Sequence, residues 1–166
     1  MLFRSAYNEA VWIISRSMSA VHFSNVINSN DIAKNQHDTV VFARQSFIIS
    51  TFLLSISVLI PGNVYQHVFG AEFGEVRRYI LYLVPGIISI AVSNLYDQYF
   101  SGLGNLKILR NKSLLSLIIT IFVMPVMIKT YNLEGACIAQ NIIYLLPSVY
   151  LWIYFRREVK RYNFKN

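Results

Sequence analysis

Residues Gly135–Phe155, GACIAQNIIYLLPSVYLWIYF, contain no lysine, arginine, aspartate or glutamate. An α-helix over these residues, at ~1.5 Å per residue, is long enough to cross a hydrocarbon core about 30 Å thick. Residues 45–71, 79–96 and 113–128 form three further gaps between charged residues. Backbone polar groups in lipid must be bonded within their own segment, so these stretches are predicted to be helices rather than strands.

The composition excludes two other classes of protein. Of 166 residues, 55% are hydrophobic and 14% are charged, whereas a soluble domain usually has roughly 25% charged residues. The apolar content also excludes a disordered chain. A single cysteine, Cys137, excludes a disulfide framework and a cysteine-based zinc site.

The predicted fold class is an all-α polytopic membrane protein with about five transmembrane helices, in one membrane domain over residues 1–166. The span at 5–27 is the weakest candidate, because Glu9 and Arg16 lie inside it. The predicted spans are 5–27, 43–69, 79–100, 112–129 and 134–155, followed by a basic tail at 156–166. A polar loop is expected at 28–38 and a tight loop at 129–134.

The net charge of +7 is distributed as in a membrane protein with a cytoplasmic C-terminus. If the C-terminus is cytoplasmic, ten lysines and arginines lie on the cytoplasmic side of the membrane and four lie on the other side, as the positive-inside rule predicts. The ten are Lys34, Arg44, Lys107, Arg110, Lys112, Arg156, Arg157, Lys160, Arg161 and Lys165. The aromatic and basic tail is also compatible with nucleic-acid binding, but an anchor at the membrane interface is favoured and no nucleic-acid partner is expected.

Polar side chains within the first predicted span fall on one side of a helix. They are Ser5, Asn8, Glu9, Ser15, Arg16, Ser19 and His22. Because charge is costly in lipid, this stripe is expected to face other helices or a water-filled cavity. A cavity lining is the favoured interpretation; polar contacts between helices, or a misplaced span boundary, are the alternatives.

The third predicted span combines a proline with a polar face. Ser89, Ser93 and Asp97 recur every four residues, with Asn94 alongside. Pro85 removes a backbone hydrogen bond one turn earlier and is expected to bend the helix. A moving helix that lines a path and an ordinary kink with Asp97 at the membrane interface explain the pattern equally well.

No catalytic set is present in the sequence. The three histidines lie on different elements without metal-ligand spacing, and Ser101–Asn105 lacks the glycines and strand context of a phosphate-binding loop. We therefore predict no enzyme activity, no metal and no cofactor. Small residues in the fifth span, and polar ones such as Asn141 and Ser148, are expected to pack helices together.

Four stretches together resemble the C-terminal half of a transporter family. They are YNEAVW and its continuation at 7–23, FGAEF at 69–73, YFSGLGNLK at 99–107 and YNLEGACIA at 131–139. In this order they resemble the bacterial oligosaccharide and polysaccharide flippases of the O-antigen type, within the multidrug/oligosaccharidyl-lipid/polysaccharide exporter superfamily. Ser24 stands where these proteins usually have proline, Met127–Lys129 where they have Leu-Ile-Pro, and Asn132 where they have glycine.

The resemblance implies a two-lobed transporter of about twelve helices, of which this chain is the C-terminal part. The expected cargo is a polyprenyl-pyrophosphate-linked oligosaccharide, carried across the bacterial inner membrane for surface polysaccharide synthesis. The expected partners are membrane lipid, this cargo and an N-terminal half encoded upstream. A non-transporting membrane scaffold and an inactive truncated remnant are the alternatives.

Roles for single residues follow from the same resemblance. Arg16 is the best candidate to meet pyrophosphate or acidic sugars, and Glu9 and Asp97 are candidates for proton or cation coupling. The remaining candidates for the substrate cavity are Asn8, Ser15, Ser19, His22 and Asn94.

The predicted topology is testable by labelling. Cysteines placed in the loop at 70–75 should react in intact cells with thiol reagents that do not cross membranes, and cysteines in the tail at 162–166 should not. If the tail reacted and the loop did not, the C-terminus would lie outside the cytoplasm and the predicted orientation would be wrong.

Overall fold

The computed structural model describes residues 17–29, 31–70, 74 and 76–164, and all regular secondary structure in them is helical. The helices are α1 (17–28 of the described residues), α2 (Ile32–Leu59), α3 (Gly62–Phe69), α4 (Val76–Gly102) and α5 (Leu106–Asn163). The prediction of an all-α chain is thus confirmed. Three helices of the described part, α2, α4 and α5, are long and apolar enough to cross a membrane. The count of five spans remains a prediction.

Helix α2 differs from the predicted span 43–69 at both ends. It begins at Ile32, because the Asp31 carboxylate accepts a hydrogen bond from the Lys34 amide (3.0 Å) and caps the helix. Most of the polar loop expected at 28–38 is therefore the first turns of α2. The helix ends at Leu59, since Ile60 precedes Pro61 and is extended, and the short helix α3 follows.

The 58 residues of α5 form two antiparallel arms that meet at Asn132, the one residue of this helix with non-helical torsions (φ 52°, ψ −128°). We call the arms α5a (106–131) and α5b (133–163). Lys112 pairs with Asp97, so α5a runs antiparallel to α4. Glu134, at the start of α5b, pairs with Arg78 at the start of α4 (2.6 Å). Phe155, toward the end of α5b, contacts Tyr99 near the end of α4. Helix α5b therefore runs parallel to α4. The tight loop predicted at 129–134 is this reversal.

Glycine at position 135 permits the reversal at close range. A Cβ atom there would overlap the carbonyl oxygen of Met127, eight residues earlier in the chain. Residues 127 and 135 of one straight helix would be about 12 Å apart at ~1.5 Å per residue. Their contact therefore requires the chain to fold back on itself.

Helix α4 is central, with α2 packed antiparallel to it and α5b parallel to it. The Ser46 hydroxyl donates to the Ala91 carbonyl (3.2 Å), and the Gln36 amide donates to the Tyr99 hydroxyl (3.4 Å). An apolar core fills one end of this bundle: Val26, Ala43, Leu95, Tyr96, Tyr99, Phe100, Leu151 and Phe155. At the same end lie the start of α2, the end of α4 and both ends of α5. The basic segments predicted to share one side of the membrane thus share one end of the bundle.

The strained turn at Asn132 generates a prediction. Asn132→Gly is expected to raise the thermal unfolding midpoint in detergent, because glycine adopts positive φ without a Cβ penalty. Asn132→Val is expected to lower the free energy of unfolding by about 1–3 kcal/mol. Leu133→Gly, compared with Leu133→Ala, is the control: this exposed position is helical, so glycine there should destabilise the protein. A valine variant as stable as the wild type would contradict a required turn at Asn132.

Candidate functional site

Four of the predicted cavity residues, Asn8, Glu9, Ser15 and Arg16, lie outside the described residues. Ser19 and His22 are in α1 and are buried. The His22 Nε2 atom lies 2.9 Å from the Thr39 hydroxyl, and the His22 ring contacts the ring of Phe42 with centroids 5.4 Å apart. In the described part of the polar stripe, His22 therefore makes its polar contact with α2.

Most of the buried residues of helix α2 are polar, and most of its large apolar side chains are exposed. Its buried polar residues recur in steps of mostly three, four or seven: Asn35, Gln36, Thr39, Ser46, Ser50 and Ser57. Its exposed residues include Phe47, Ile48, Phe52 and Ile56. This inverted arrangement suits a helix surrounded by hydrocarbon, since polar groups there find partners only within the bundle.

Helix α4 is continuous, but its backbone hydrogen bonding is broken near Pro85, where a side chain from α5b bridges the break. Pro85 has no amide hydrogen, so the helix lacks one backbone bond there. The Asn141 carboxamide accepts from the Gly86 amide (2.7 Å) and donates to the Tyr82 carbonyl. Gly86 and Tyr82 are an i, i−4 pair, whose backbone groups bond each other in an uninterrupted helix. Asn141 therefore satisfies the α4 backbone at its weakest point.

Gly86 is required for this close contact between helices. A Cβ atom at position 86 would lie 2.5 Å from Asn141 Oδ1 and 3.2 Å from Asn141 Cα. The small residue lets α5b approach the α4 backbone, as small residues do at other membrane helix contacts.

A cleft of about 410 Å³ lies beside this interruption, between α2, α4 and α5b. Three serines contribute to its otherwise apolar lining. The Ser148 hydroxyl donates to the carbonyls of Ser89 (3.2 Å) and Tyr144 (2.6 Å). Ser93 is buried, and its hydroxyl has no hydrogen-bond partner in the described structure. The cleft therefore has a mainly apolar surface, with the unpaired Ser93 hydroxyl buried behind its lining.

The predicted polar face of α4 is divided between two surroundings. Ser89 and Ser93 line the cleft, whereas the Asp97 carboxylate is mostly buried and paired with Lys112 of α5a. A spacing of four residues advances about 40° around a helix of 3.6 residues per turn, so Ser89 and Asp97 point about 80° apart. Asn94 is half-buried. The ion pair ties α4 to α5a near the basic end of the bundle.

The described residues contain no group of three or more histidines, cysteines, aspartates or glutamates able to hold a metal. Cys137 is buried in α5b.

No known protein family, curated protein or solved structure matches this chain.

The Asn141 bridge generates a prediction. Asn141→Leu leaves the Gly86 amide and the Tyr82 carbonyl without their side-chain partner and is expected to cost about 1–2 kcal/mol of stability. The measurement is thermal unfolding of the purified protein in detergent. Gln140→Leu, which changes the same chemistry at the neighbouring half-buried position, should have a smaller effect. Equal effects of the two changes would show that the bridge contributes nothing specific.

Proposed function

We propose that this chain forms the C-terminal part of a flippase for polyprenyl-pyrophosphate-linked oligosaccharide in a bacterial inner membrane, with its C-terminus in the cytoplasm. The observation that carries the proposal is the break in the backbone hydrogen bonding of α4 at Pro85–Gly86, where Asn141 bridges the helix beside a cleft. Transporters commonly build their binding sites near the middle of the bilayer, at places where helix backbone bonding is lost. A simple membrane anchor has no need of such an interruption.

The physical task explains which residues would act. A polar, anionic headgroup must pass through hydrocarbon, so its route needs cations and hydroxyls that replace water. Arg16 would meet the pyrophosphate, and Asn8, Ser15, Ser19, His22 and Asn94 would contribute polar groups. An N-terminal lobe encoded upstream would supply the facing half of the cavity.

The Asp97–Lys112 pair offers a means of coupling. It connects α4 to α5a at the basic end of the bundle, so protonation of Asp97 would remove one of the two charges that hold these helices together. Glu9 would be the second carboxylate available for coupling. Loosening of this end would accompany the opening of the cavity on one side.

The test is glycan export in cells that carry the complete transporter. Arg16→Ala is expected to abolish export of the lipid-linked glycan, with membrane abundance near normal, because it removes the cation in the cavity. Arg16→Lys should keep part of the activity, since it retains the charge but loses the guanidinium geometry that suits phosphate. Surface glycan is measured by immunoblot, and unflipped lipid-linked glycan by extraction.

Lys129→Ala is the matched control, because it removes one positive charge from an exposed position at the opposite end of the bundle from the basic tail. Export at the wild-type rate in Arg16→Ala would contradict the cavity role. If Arg16→Ala instead lowers abundance, and addition of Glu9→Ala restores it, the pair serves only to hold helices together. Unchanged glycan export after deletion of the whole chain would favour a scaffold or an inactive remnant.

A further inference from the structure

The cleft between α2, α4 and α5b reaches the outer surface of the bundle. Phe47 on the α2 wall and Val149 and Trp152 on the α5b wall are 51%, 47% and 41% exposed. Its volume of about 410 Å³ falls within the ~300–1,000 Å³ range of small-molecule sites. Because it is mainly apolar and its walls reach the surface expected to face lipid, a hydrocarbon chain fits its chemistry.

One arginine stands at the basic end of the cleft on the α5b wall. The guanidinium carbon of Arg156 lies over the ring of Trp152, 4.3 Å from its centroid. Arg156 follows Trp152, which lines the cleft, by four residues, one helical turn toward the basic end. Arg156 is therefore placed directly beyond the apolar lining.

A second arginine stands on the α2 wall. Arg44 precedes Phe47 by three residues, which places the two side chains on one side of the helix. Since α2 begins at the basic end of the bundle, Arg44 lies between Phe47 and that end. The cleft is thus flanked by one exposed arginine on each wall.

The carboxylate of Asp97 pairs with Lys112 of α5a. Within the described residues, neither Arg44 nor Arg156 forms an ion pair. Both guanidinium groups are therefore available to an external anion.

We propose that this cleft binds an anionic phospholipid of the surrounding bilayer, with an acyl chain in the cleft and the phosphate between Arg44 and Arg156. Such a lipid matches both parts of the site: its acyl chain suits the apolar lining, and its phosphate suits the guanidinium groups. Trp152, at the junction, is of the residue type enriched at the level of lipid headgroups. The site depends on the membrane location of the bundle and does not require transport.

Fluorescence of Trp152 tests the proposal directly. The chain has two tryptophans, so Trp12→Phe leaves Trp152 as the only reporter. The protein is placed in bilayers that contain brominated phosphatidylglycerol or brominated phosphatidylcholine at equal mole fraction. Stronger quenching by the anionic lipid is expected. Arg44→Gln and Arg156→Gln should each reduce this preference about five-fold, the effect of ~1 kcal/mol per basic residue near anionic lipid.

The matched control is the pair Lys107→Gln and Arg110→Gln, which removes two charges at the same end of the bundle but on α5a, away from the cleft lining. It should retain the preference, and the pair Arg44→Lys and Arg156→Lys should retain most of it. Equal quenching of Trp152 by both lipids would overturn the proposal. It would also be overturned if the Lys107→Gln, Arg110→Gln pair lost as much of the preference for anionic lipid as the Arg44→Gln, Arg156→Gln pair, because that result would indicate diffuse attraction to a basic surface. Weak quenching by both lipids would also overturn it and would indicate that protein fills the cleft.

Discussion

The chain reverses direction at Asn132, and this reversal places α5b beside α4. This residue alone in α5 has non-helical torsions, and it turns a continuous run of helical residues into two antiparallel arms. Only because α5b returns along α4 does Asn141 reach the α4 backbone and Phe155 reach the core. The cleft and the grouping of basic segments at one end follow from the same return.

The second constraint is that backbone and side-chain polar groups must find partners inside the bundle. In α2 this makes six of the eight buried residues polar, while Phe47, Ile48, Phe52 and Ile56 face outward. In α4 it explains why the interruption at Pro85 is accompanied by the Asn141 bridge. A soluble bundle would reverse the polarity of α2, since hydrophobic burial would then determine which side faces inward.

The sequence predicted features that depend on local composition and missed those that depend on contacts between distant residues. Apolar stretches located α4 and both arms of α5, and Asn132 marked the turn between the arms. The start of α2 was missed because Lys34, His37 and Asp38 resemble a loop, although Asp31 caps a helix there. For the candidate site, Pro85 and Asn141 were both noted, but their approach depends on the register between α4 and α5b, which composition does not encode.

The most direct test of this account is the distance between spin labels at positions 107 and 160, in the double variant Lys107→Cys, Lys160→Cys on a Cys137→Ser background. Pulsed electron paramagnetic resonance in lipid nanodiscs measures this distance. If α5 reverses at Asn132, both labels lie at the basic end and should be within about 30 Å, the width of about three helices. A distance near 80 Å, about the length of a continuous helix between the two positions at ~1.5 Å per residue, would contradict the reversal.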